Sequence, residues 1–124
     1  MNATRRLAAI MFTDIQGYTK LMQESEARAI AVRKRHREIF EPNTLAYRGE
    51  IIQYYGDGTL SIFASTVDAV KCAIEMQTAF QTEPKIPVRI GIHTGDILIS
   101  SQDIIGDSVN VASRIESLGI AGSE

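Results

Sequence analysis

Two aspartates sit where carboxylates can do chemistry. Asp14 closes the apolar run in "AIMFTDIQGYTKLM" (Ala9–Met22), and Asp57 lies between two glycines in "YYGDGTL". Carboxylate oxygens brought together in this way suit Mg²⁺, which takes a few carboxylates plus water and ligand phosphates. Two such ions can activate an attacking oxygen and stabilise a leaving one in a phosphoryl-type displacement. The residues after Asp14 fit the same chemistry. Gln16, Gly17 and Tyr18 lead into a helical stretch, whose first amides lack partners and whose dipole favours phosphate. Gly17 lets the backbone approach a ligand closely. Taken singly, each acid has a plainer reading: Asp14 as a cap at a helix start, Asp57 as a turn residue.

A second constellation lies near the C-terminus. Asn110 and Arg114 are four apart, so on a helix they share a face. An amide beside a guanidinium can hold a ribose and a phosphate, although for the pair in isolation a solvated polar face is the plainer reading. Asp103 in "QDIIGDSVN" could accept from an exocyclic amine.

The elements that must position these side chains follow from pattern. Arg6–Thr13 reads as a buried strand. Gly17 to about Arg48 reads as helical, in two pieces, with Ser25 as an N-cap, Pro42 as a kink or restart, and Gly49 as the end. "EIIQYYGDGTLSIFA" reads as a hairpin around Gly56-Asp57-Gly58. Ser65 or Thr66 caps a helix over Val67–Gln81, with Val67, Val70, Ile74 and Met76 at helical spacing. "VRIGIHTGDILIS" gives one strand, or two meeting near Gly95, and "DSVNVASRIESL" a last helix closed by Gly119. This order predicts an α+β, ferredoxin-like βαββαβ core: a mixed or antiparallel sheet with helices on one face. In that plan the first strand and the hairpin are neighbours, so Asp14 and Asp57 converge at one edge.

Composition narrows the function classes. The chain has 124 residues, 44% of them apolar, which suits one domain with a real core. A formal net charge of −2 gives no general argument for nucleic acid or an anionic membrane. No apolar run reaches the roughly 18–20 residues of a membrane span. Cys72, the single cysteine, precludes an intramolecular disulfide and reads as a buried, inert thiol in a reducing, cytoplasmic setting. The basic run Arg33–Arg37 wraps around a helix, with Glu38 four residues after Lys34, and reads as a solvated face.

The segments "FTDIQGYTKLM", "GEIIQYYGDGTLSIFAS", "VRIGIHTGDILIS" and "DIIGDSVNVASRIESLG" together resemble the class III adenylate/guanylate cyclase catalytic domain. They stand in family order over nearly the whole chain, so residues 1–124 are expected to be one such domain. The resemblance implies conversion of a nucleoside triphosphate into a cyclic nucleotide and pyrophosphate. It makes Asp14 and Asp57 the metal carboxylates for two Mg²⁺ or Mn²⁺ per site, with Ile15 adding a backbone carbonyl. It gives the amides of Gln16, Gly17, Tyr18 and Thr19 to phosphates, and Arg89 as a further phosphate contact. Asn110 would orient the ribose, and Arg114 would stabilise charge on the α-phosphate. The acids and the Asn/Arg pair of one site come from opposite subunits, which implies a head-to-tail homodimer.

Two departures from the family pattern shape the expectation. Adenylate-type members place a Lys and an Asp at the purine edge; here these positions hold Gln53 and Asp103. Asp103 favours the adenine amine, and the Gln53 amide can donate to adenine N1 but can also flip. ATP is therefore the expected substrate, with weaker discrimination against GTP. The family continues beyond "LGIAGSE" through further strands that carry a phosphate-binding Lys, so the chain is expected to be truncated, prone to altered or swapped dimers, and weakly active at best. Diguanylate cyclases differ at the hairpin tip, which here lacks the doubled glycine and the second acid. A cyclase-like module that binds nucleotide or dimerises without turnover is the non-enzymatic alternative.

Overall fold

The computed structural model describes the backbone of residues 4–99 and 104–105. Asp103, Asn110, Arg114 and the predicted last helix lie outside the described residues. The element order is β1 (Thr4–Ile15), α1 (Tyr18–Glu24), α2 (Glu26–Ala46), β2 (Glu50–Tyr55), β3 (Gly58–Phe63), α3 (Thr66–Phe80), β4 (Val88–Ile99) and β5 (Ile104–Ile105). The sheet order is β2-β3-β1-β4-β5 with every neighbouring pair antiparallel. This is the ferredoxin-like arrangement. β1–β2 and β3–β4 are joined through helices while another strand lies between the members of each pair.

Alternation sorts the long central strand. Ala9 and Met11 of β1 join Phe63, Val88 and Ile90 against Ile39 and Phe40 of α2 and Ala69, Cys72, Met76 and Phe80 of α3. Both long helices therefore cover the same sheet face. Burying each of Phe40, Phe63 and Phe80, all at most 1% exposed, is worth about 1.5–3 kcal/mol. The even residues Ala8, Ile10 and Phe12 point to the other face, where they cluster with Leu60 and Ile62. Asp14 is in phase with this second set.

The boundaries have identifiable reasons, some as expected and some not. β1 runs past Thr13 because Asp14 and Ile15 pair with Arg89 and Val88. β4 is one strand, with Gly95 opposite Ala8 in an unbroken ladder. The helical region divides at Ser25, whose hydroxyl accepts from the Arg28 amide as its N-cap role requires. α2 passes through Pro42 without ending; next to the proline, the Asn43 side chain donates to the Ile39 carbonyl.

Helical spacing alone did not show which side of α3 meets the core. Of Val67, Val70, Ile74 and Met76, only Met76 is buried, and the others are 61%, 43% and 63% exposed. Ala69, Cys72, Met76 and Phe80 carry the contact instead. Two apolar stripes share this helix at helical spacing, and period alone does not choose between them. The basic run is likewise not a uniformly solvated face. Arg35 donates to the Thr82 and Pro84 carbonyls, His36 is 1% exposed, and Arg37 lies over the Tyr54 ring at 4.2 Å.

Candidate active site

The site forms where β1 outruns β3. Thr13 opposite Thr59 is the last rung between these strands. Beyond it the hairpin tip folds over the end of β1, and the Asp57 Oδ2 accepts from the Ile15 amide at 3.0 Å. The carboxylate thus takes the place of a ladder bond. The flanking glycines have separate reasons. Gly56 has φ +54°, in the left-handed region. A Cβ at Gly58 would stand 2.9 Å from the Thr13 carbonyl oxygen, so only glycine permits this approach.

Asp14 meets β4 from the other side. Arg89 lies directly opposite in register and forms a two-pronged pair, Nε to Oδ1 at 2.9 Å and Nη2 to Oδ2 at 2.6 Å. The two side chains are 20% and 33% exposed. Asp14, Ile15, Gly17, Tyr18, Thr19, Asp57 and Arg89 line one cleft of about 300 Å³, so the predicted convergence of the two acids is present. Among the described residues no three His, Cys, Asp or Glu side chains gather as a metal site. A cation here would rely on two carboxylates together with carbonyl, water or ligand oxygens.

The loop after Asp14 is only partly available for phosphate. The Gln16 amide, expected to contact phosphate, already donates to the Pro87 carbonyl at 2.8 Å. Gly17 caps α1 in the left-handed region at φ +77°, with no side-chain cap on the first turn. The Tyr18 side chain packs against Ile15 and Ala29. Lys20 also lines the cleft, and sequence reading passed over it. Its signal was a cation three residues after Gly17.

Gln53 reaches the same sheet face as Asp14 through a β-bulge. Ile51 pairs with Ser61, but Gln53 pairs with Leu60, so Ile52 is the extra residue. In a regular ladder Gln53 would oppose Thr59 and face the helices. The bulge turns it to the exposed side and turns Tyr54 inward, where its hydroxyl donates to Glu41. Burial and this carboxylate raise the Tyr54 pKa to about 12. Arg37 extends past Tyr54 to the Gly56 carbonyl at 3.5 Å, so α2 grips the hairpin that carries Asp57.

A profile of the adenylate and guanylate cyclase catalytic domain matches residues 3–123. The chain belongs to this family. The cyclase domain is 38% identical to a putative adenylate cyclase 3 of Rhizobium meliloti, over 95% of this chain and 22% of that protein. It is 34% identical to an adenylate cyclase of Anabaena cylindrica, over 94% of this chain and 28% of that one. It therefore spans about a quarter of the length of these relatives. Among solved structures, an adenylate/guanylate cyclase/hydrolase from Silicibacter pomeroyi is 40% identical with a TM-score of 0.87, covering 98% of this chain and 75% of the other. The adenylyl cyclase CyaB from P. aeruginosa is 27% identical with a TM-score of 0.83, covering 98% and 76%. No helix of the cyclase domain, among the described residues, is long and apolar enough to cross a membrane.

Proposed function

We propose that this domain converts ATP into 3′,5′-cyclic AMP and pyrophosphate, at sites shared between two copies arranged head to tail. The observation that carries the reading is the cleft that brings Asp14, Asp57 and Arg89 together beside the Gly17 turn. The donor set fits Mg²⁺ or Mn²⁺, two per site. It is all oxygen, half-buried, and in Asp57 only Oδ2 is engaged by the chain, leaving Oδ1 without a hydrogen-bond partner among the described residues. Bound there, the cations would activate the attacking oxygen and neutralise charge on the phosphates.

The chain's own groups divide the remaining work. Arg89 pairs with Asp14 when the cleft is empty of nucleotide and passes to the triphosphate when one binds. Lys20 and the Gly17–Thr19 backbone face the same anion. Asn110 of the second copy orients the ribose. Arg114 stabilises the α-phosphate as the 3′-oxygen bonds to its phosphorus, the 3′-hydroxyl proton passes to water, and the bond to the bridging oxygen breaks to release pyrophosphate. Losing one such preorganised donor commonly costs about 2.7–4 kcal/mol of barrier. Gln53 and Asp103 read the base.

The test is an assay of cyclic nucleotide formation from ATP and from GTP, with Mg²⁺ and with Mn²⁺. A chain extended at its C-terminus serves alongside this one. Cyclic AMP exceeding cyclic GMP supports the reading; the reverse makes the domain a guanylate cyclase. Absence of turnover in both chains, with ATP still raising the melting temperature, makes it a nucleotide-binding module. Mixing Asp57→Ala with Arg114→Ala chains should restore activity through one intact shared site. Two well-folded variants that do not complement exclude the shared site.

A further inference from the structure

Below the cleft, three polar side chains are buried and joined by hydrogen bonds. Thr13, Thr59 and His36 are each 1% exposed. Thr13 Oγ1 lies 2.7 Å from Thr59 Oγ1 and 2.9 Å from His36 Nε2. The imidazole is stacked near-parallel to the Phe40 and Phe80 rings, with centroids 5.7 and 5.5 Å away. The chain of hydrogen bonds joins α2 to β1 and β3 at their last shared rung. One residue further along β1 is Asp14, and two residues back from Thr59 is Asp57.

Burying hydroxyls and an imidazole adds little net stability over an apolar trio of the same shape. A satisfied polar network does something packing does not: it fixes one register and one spacing. Here that spacing is set directly beneath the two acids. We propose that His36, through Thr13 and Thr59, is a positioning residue that holds the hairpin tip against the end of β1 and so sets Asp57 beside Asp14. The metal part of this role rests on the reading of those acids as the cation ligands. His36 itself touches neither acid.

The experiment compares His36→Phe, which keeps a ring in the stacked slot but loses the hydrogen bond, with His36→Gln, which retains a donor and an acceptor. Amide hydrogen exchange by NMR reads the Ile15 N–H, whose acceptor is Asp57, against the Ile10 and Ile62 amides deeper in the sheet. His36→Phe should speed Ile15 exchange about tenfold while leaving the deeper amides near wild type, the size expected for one lost hydrogen bond. His36→Gln should recover most of the protection. Mn²⁺ binding, read by electron paramagnetic resonance with a non-hydrolysable ATP analogue present, should weaken in His36→Phe and return in His36→Gln. Unchanged Ile15 exchange, or exchange rising equally at all three amides, overturns the proposal, as does unchanged Mn²⁺ affinity. If His36→Phe does not fold, Thr59→Val breaks the far link of the same chain and is read in the same way. A wild-type chain that takes up no Mn²⁺ overturns the cation-site reading, and the exchange pattern still decides the brace.

Discussion

At the scale of single side chains, the proposed function gives Arg89 and Asp57 a second task each beside the contact seen. Arg89 holds both oxygens of Asp14, so a free cation must displace a charge-assisted, two-pronged pair. In the proposed function a triphosphate would take over the guanidinium and release the acid. Arg89→Ala should therefore tighten Mn²⁺ binding without nucleotide by about tenfold, since a hydrogen bond to a charged group is worth about 1.5–3 kcal/mol. The same change should weaken binding of the nucleotide itself, and calorimetric titration measures both. Asp57 gives Oδ2 to the Ile15 amide, and the proposed cation site would use Oδ1. Asp57→Asn keeps an oxygen for the Ile15 amide, so the melting temperature should change little while Mn²⁺ affinity falls. Asp57→Ala should lose the affinity and also about 1.5–3 kcal/mol of stability, read by denaturant unfolding.

Among the elements, the C-terminus of α2 shows what sequence punctuation conveys and what it hides. Gly49 reads as the helix terminator, yet the left-handed position is held by Arg48 at φ +64°. The Gly49 amide donates to Thr44 and the Arg48 amide to Leu45, a Schellman ending with a bulky residue where glycine is usual. Gly49 is there for space. A Cβ would lie 2.6 Å from the Phe63 ring and 2.7 Å from the Thr44 methyl. Arg48→Gly should thus stabilise the domain by about 1 kcal/mol, while Gly49→Ala should destabilise it, both read by thermal unfolding. The element order, the hairpin and the cap at Ser25 were legible because each rests on a local rule. The choice between the two stripes of α3 was not, because it depends on which stripe meets the sheet. The tasks of Arg35 and Arg37 were hidden for a related reason: their partners are carbonyls and a ring far away in sequence.

For the whole molecule, the buried imidazole makes stability sensitive to acid. Burial, and then the charge of Arg37, lower the His36 pKa from 6.5 to about 4, with Asp14 opposing. The unfolded chain takes up this proton near pH 6.5 and the native one only near pH 4. Stability is therefore complete above pH 6.5 and declines as the pH falls to about 4, by about 3 kcal/mol in all. Unfolding free energies across that range should show the decline in wild type, and His36→Phe should lack this component. The convergence of Asp14 and Asp57 could be read in advance because two strand ends and one tight turn suffice to define it. The pairing of Asp14 with Arg89 could not, since it needs the register of β1 against β4. Register also governs Gln53 through the extra residue in β2. That strand can be rewritten letter by letter to offer a different group on its outer side. Shortening or lengthening it by a single residue would instead turn Gln53 toward the core and Tyr54 toward solvent. With residue 53 reading the base as proposed, lineages that diverge in substrate preference on this scaffold should vary its identity and conserve the length of the strand around it.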